Sequence, residues 1–107
     1  MTTFDQRKDA FENRFAHDET LRFKAEARRN RKLGLWAAGL MGKSGEEATA
    51  YAGNVVAADL EEAGDGDVFR KIRADFDAAG VAQSDHQIRR TMDELLAAAK
   101  EELRTEG

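Results

Sequence analysis

Residues Ala37 to Ser44 read AAGLMGKS, and Gly42, Lys43 and Ser44 match the end of a phosphate-binding P-loop, with Ala37 where the stricter pattern has glycine. Such a loop works between a strand and a helix, where its amides cradle phosphate. The residues before it read as helix, so Gly42 as a helix stop and Ser44 as a cap explain the same letters without a ligand. Upstream, EARRNRK places Arg28, Arg29, Arg31 and Lys32 shortly before Trp36. Cations beside an aromatic ring can hold a nucleotide or a single strand of nucleic acid. Arg28, Arg29, Lys32, Trp36 and Lys43 are therefore the candidate ligands for weak ATP or ADP binding. The alternative is a solvated helix face paired with acidic neighbours. Asp65, Gly66 and Asp67 open like a calcium loop, but its twelfth position is Phe76 rather than glutamate, which leaves a turn. His17 and His86 share no metal-ligand spacing, so no metal site is expected. Ser44 and Ser84 are explained as caps. With no catalytic constellation, the chain is not expected to be an enzyme.

A third group of side chains suits recognition rather than reaction. Phe4, Phe11 and Phe15 are spaced by seven and four, which stacks three rings on one face of a helix amid charged neighbours. A seam this narrow fits a groove in another protein, as an amphipathic helix ligand does. Folding back on the rest of the chain is the competing reading. The crowding by Asp5, Arg7, Lys8, Asp9, Glu12, Asn13 and Arg14 argues against it.

The elements that must position these residues are helical. In 107 residues there is no proline and no cysteine, which suits long helices and removes disulfides and thiolate chemistry. The first helical stretch runs from about residue 4 to 41, with a break expected at Ala16 to Thr20 because Leu21 and Phe23 leave the phenylalanine face. The apolar end LGLWAAGLM, with Leu33, Leu35, Trp36, Leu40 and Met41, belongs in the core. Gly34 and Gly39 within it suggest close packing or a bend. Gly42 stops this helix in a left-handed conformation, and Ser44 with Glu47 forms a capping box. Ala48, Tyr51, Ala52, Val55, Val56, Leu60 and Ala63 make the next apolar face. After the Asp65 to Asp67 turn, Val68, Phe69, Ile72, Phe76 and Ala79 make another, closed by Gly80. A second capping box, Ser84 with Gln87, opens a last helix carrying Ile88, Met92, Leu95, Leu96, Ala99 and Leu103. The expected fold is all-α: a four-helix bundle over 21–107, with helices near 21–41, 45–63, 67–79 and 85–104, and a mobile amino-terminal helical segment over 1–20.

The net charge of −4 is unevenly distributed: −2 over residues 1–20, +6 over 21–43 and −8 over 44–107. An acidic domain argues against nucleic acid as partner. No apolar run approaches a membrane span and no signal peptide is evident, so a cytoplasmic protein, monomeric when free, is expected.

MTTFDQR, FAHDETLRFKAEARRNRKLGLWAAGLMG, DVFRKIRADF and SDHQIRRTMDELL closely resemble the zeta subunit family, the inhibitor of the F1 sector of ATP synthase in alphaproteobacteria. The resemblance implies a four-helix bundle whose mobile amino-terminal helix inserts at a catalytic interface between alpha and beta subunits and blocks rotation. It acts like the mitochondrial inhibitor protein without sharing its ancestry. Carried onto this chain, the inhibitory segment is about Met1 to Glu19. Phe4, Phe11 and Phe15 would be the anchors, with Arg7, Lys8 and Arg14 as charged contacts. The stretch Arg22 to Lys32 becomes a connector able to touch the acidic surface of the enzyme. Alpha and beta subunits, with gamma nearby, would be the partners, at the cytoplasmic face of the inner membrane. A nucleotide-sensing helical module remains the alternative function.

Overall fold

A computed structural model describes residues 3–59 and 64–106, with side chains from Gln6 onward. Among the described residues there are five helices and no strand: α1 (Thr3–His17), α2 (Glu19–Leu40), α3 (Gly45–Ala58), α4 (Gly66–Ala79) and α5 (Asp85–Glu106). Leu60 and Ala63, expected on the face of α3, lie outside the described residues, as do Met1, Thr2 and the side chain of Phe4.

The helices begin and end where local chemistry dictates. Asp18 lies between α1 and α2 in an extended conformation, and its Oδ1 accepts a hydrogen bond from the Leu21 amide at 3.1 Å. A side-chain cap of this kind satisfies an amide that has no partner within the helix. Arg22 reaches back and donates to the Ala16 carbonyl at 2.8 Å, closing the end of α1 as well. The break is thus a single residue stitched from both sides. At the other end of α2, Gly42 takes φ +79°, and the Lys43 amide donates to the Ala38 carbonyl at 2.8 Å, the bond of a left-handed helix stop. Ser84 and Gln87 exchange the two bonds of a capping box, at 2.8 and 3.1 Å. The Ser44 box does not form. Gly45 enters α3 at φ +55°, Ser44 makes no side-chain cap, and Glu47 turns to Lys43 at 3.7 Å instead.

One core joins α2, α3, α4 and α5. Leu33, Val55, Val68, Ile72, Phe76, Ile88 and Met92 are fully enclosed in it. Gly34 lets α2 and α3 touch, since a Cβ there would meet the Ala52 Cα at 2.5 Å. No neighbour explains Gly39 in the same way. Two residues assigned to the core from the apolar run, Leu35 and Leu40, are exposed. Ala79 is exposed too. The α2 run is apolar almost all round, but its neighbours cover only part of its circumference. The molecule is elongated, with extents of 49 × 27 × 25 Å and a radius of gyration of 15.2 Å, against about 13 Å for a compact chain of this length. The long helices α2 and α5 produce the difference, with α1 added outside the main core.

Candidate functional site

The aromatic seam of α1 lies on a second, smaller apolar cluster. Phe11 is 8% exposed and packs with Leu21 and Ala25 of α2 and Leu103 of α5, while half-buried Phe15 and Leu96 complete the patch. The Phe11 and Phe15 rings lie 6.2 Å apart at a tilt of 36°. Lys100 of α5 does two things here: its Nζ stands 4.4 Å from the Phe15 ring centroid and 3.2 Å from Glu12 Oε2. Arg14 lies over the Phe11 ring at 5.8 Å. Beside the seam, Arg7, Ala10, Phe11 and Arg14 form one wall of a cleft whose other wall is Leu103, Arg104 and Thr105.

Of the seam, Phe11 is therefore buried and Phe15 partly buried by the chain itself, and Phe4 lies outside the described side chains. Charge crowding predicted otherwise, and the reason it fails is geometric. Glu12, Asn13 and Arg14 all sit on the exposed flanks, so a narrow groove is enough to take Phe11 and Phe15. Arg7 and Lys8 are exposed. Glu101 is held below the usual carboxylate range chiefly by hydrogen bonding to Arg104, with Lys8 a weaker contributor. Lys100 and Leu103, central to this site, could be anticipated only in part. The α5 stripe does reach Leu103, yet nothing local says which helix it meets.

Two residues of the basic band, Arg28 and Lys32, are taken up by the acidic carboxyl-terminal helix. Arg28 Nη2 donates to Glu106 Oε1 at 3.0 Å, and its Nη1 donates to Glu106 Oε2 and, at 3.2 Å, to Glu102. Lys32 pairs with Glu102 at 2.6 Å. Hydrogen bonding to Lys32 and Arg28 respectively holds the Glu102 and Glu106 carboxyls below their usual range. Arg29 is buried, donating to Asn30 Oδ1 at 2.8 Å, and Asn30 donates in turn to Asp59 at 2.8 Å. Burial raises the Asp59 carboxyl despite that bond and the nearby Arg29. Asp65 links the end of this network to Arg89 at 2.8 Å. The network ties the α3–α4 connection to α2, and no sequence pattern announced it.

The five candidate nucleotide ligands are not gathered in one place. Arg28 and Lys32 face α5, Arg29 is buried among its own partners, and Trp36 sits edge-on to Phe76 with centroids 5.5 Å apart. Lys43 lies past the end of α2, whose last residue, Leu40, is already about 18 Å along the helix from Arg28. Near it, Tyr51 donates to Asp75 at 2.6 Å and Lys71 pairs with the same carboxylate at 3.0 Å. Desolvation and the Asp75 bond push the Tyr51 phenol above its ordinary range. Among the described residues there is no cluster of side chains able to hold a metal ion.

Comparison with known proteins places this arrangement. A model of the family described as ATPase inhibitor subunit zeta matches residues 1–102. The chain belongs to that family. The match takes in α1 as well as the helices behind it, and a zeta subunit is a regulator that acts on an ATPase rather than a catalyst. A solved structure, described as a solution NMR structure, is 48% identical with a TM-score of 0.71, covering 81% of this chain and 99% of the other. Among curated proteins none matches the sequence. Among the described helices of this zeta subunit, only α1 stands outside the core shared by α2 to α5.

Proposed function

We propose that the chain inhibits ATP hydrolysis by the F1 sector of ATP synthase by inserting α1 at an interface between alpha and beta subunits, close to gamma, so that rotation stops. In this reading α2 to α5 are a four-helix bundle that docks at the cytoplasmic side, and residues 1–20 are the inhibitory segment. The observation that carries it is the construction of α1: an aromatic-seamed helix joined to the body through one residue, Asp18, and absent from the main core. Such a helix can change its contacts without disturbing the fold behind it.

The mechanism requires no chemistry from the inhibitor. An inserted helix halts a cycle when it binds one rotational state better than the others. Phe11 and Phe15, with Phe4 from the segment's start, supply apolar area on the order of 1.5 to 3 kcal/mol per buried ring before ordering is subtracted. Arg7, Lys8 and Arg14 stand on the flanks, where they can select register and orientation. Arg28, Arg29 and Lys32 of the basic band are engaged inside the molecule and spread along α2, which favours this reading over nucleotide sensing. Among the described residues no helix is long and apolar enough to cross a membrane, so docking on F1 would be peripheral.

The test is ATP hydrolysis by purified cognate F1 with the full chain and with residues 1–19 deleted. The full chain should inhibit and the truncated chain should not, while circular dichroism shows the helices of the body retained. Full inhibition by the truncated chain would sink the proposal.

A further inference from the structure

We infer that the groove formed by Leu21, Ala25, Leu96 and Leu103 is a docking site for the chain's own inhibitory helix, so that the body competes with the enzyme for one aromatic face. The inference rests on the proposed role of α1. Phe11 and Phe15 are the side chains that face Leu21, Ala25 and Leu103, and a ring buried there cannot also be buried in another protein. The closed arrangement has its own polar fastening. Lys100 pairs with Glu12 and covers the Phe15 ring from the same helix that supplies Leu103.

Release is built in at the same place. Asp18 caps α2 from the break itself, and Arg22 crosses the break with a side-chain bond to the Ala16 carbonyl, so α1 can swing by releasing that bond without unravelling α2. Inhibition is then set by two equilibria, opening of the latch and binding of the opened helix. When only a fraction of molecules is open, apparent affinity falls by that fraction; at about 10% open it is about tenfold weaker than intrinsic. Weakening the groove should therefore make a better inhibitor, the reverse of what loss of a binding residue does.

Two sets of variants test this on the full chain with cognate F1. Leu103→Ala removes the apolar floor, and Lys100→Glu sets a like charge opposite Glu12 and strips the cation from Phe15. Leu103→Ala should lower the half-inhibitory concentration about tenfold, and Lys100→Glu about two- to fivefold. Thermal melting checks that the body is intact, and Lys100→Glu, a change at a partly exposed side chain, keeps the test valid if Leu103→Ala unfolds. In the second set, Ala10→Cys and Thr105→Cys place the chain's only thiols on opposite walls of one cleft. Joining them with a cleavable bis-maleimide should abolish inhibition, and cleaving the linker should restore it. Prior addition of excess F1 should protect the thiols from being joined.

Inhibition by the joined protein at the concentrations that serve for the unjoined one would overturn the latch while leaving the inhibitory role standing. If the cysteines themselves abolish inhibition, the α5 variants decide, and wild-type or weaker potency in both overturns the latch. Failure of the wild-type chain to inhibit cognate F1 would overturn the functional reading and the latch with it.

Discussion

The two apolar clusters of this molecule are built to different standards. In the cluster shared by α2 to α5, Leu33, Ile72, Phe76, Ile88 and Met92 are fully enclosed, and Gly34 brings two backbones into contact. In the cluster under α1, Phe11, Leu21 and Leu103 each keep some exposure, and only Ala25 is fully covered. The first is closed to solvent on every side, and in such an interior every lost methylene is felt. The second is a rim contact fastened by one cation. The proposed release of α1 draws on this asymmetry, because local opening starts in the regions with the fewest buried contacts.

The sharpest way to test the contrast is to cut one residue from each cluster. Phe76→Ala in the main core should lower unfolding free energy by about 3 to 5 kcal/mol in denaturant titration, enough to unfold much of a small domain. Phe11→Ala should lower the melting temperature far less, because the body does not depend on α1. Its inhibition of F1 should weaken by about tenfold or less, since the ring is lost from the closed and the enzyme-bound states alike. Equal loss of stability in the two variants would mean that the clusters are one core.

The acidic clamp predicts a smaller effect with a definite sign. Glu101, Glu102 and Glu106 have carboxyls held below the ordinary range, so each contributes stability that is present above the unfolded-state value and is lost as pH falls through the folded-state value. All three are at the surface, where screening keeps the contribution modest. Melting temperature should decline as pH falls below about 4, and Glu102→Gln should flatten part of that decline. Asp59 runs the other way. Burial raises its carboxyl, so its contribution is fully present below the unfolded-state value and is lost as pH rises through the folded-state value. Asp59→Asn should raise the melting temperature slightly at neutral pH and leave it unchanged in acid, since an amide oxygen can still accept from Asn30.

Much of this architecture can be read one turn at a time. The Asp18 break, the Gly42 and Gly80 stops and the Ser84 box depend on residues within six positions of each other, and so does the stacking of Phe11 and Phe15. Even locally, Ser44 shows the limit: the letters of a capping box are present, but Gly45 enters the helix at φ +55° and the Ser44 side chain makes no cap bond.

The sequence by itself determined that the chain is helical, where helices begin and stop, which faces are apolar, and that an aromatic seam precedes a break. Tertiary structure alone decided that Phe11 and Phe15 of this seam are covered, by Leu103 and Lys100 from the far end of the chain. It also decided that Arg28 and Lys32 are neutralised by Glu102 and Glu106, and that Arg29 and Asn30 are buried. The physical reason is range. Helix stops and caps are settled by hydrogen bonds a few residues long, whereas Lys100 reaches Glu12 across 88 positions only because α5 folds back to lie beside α1.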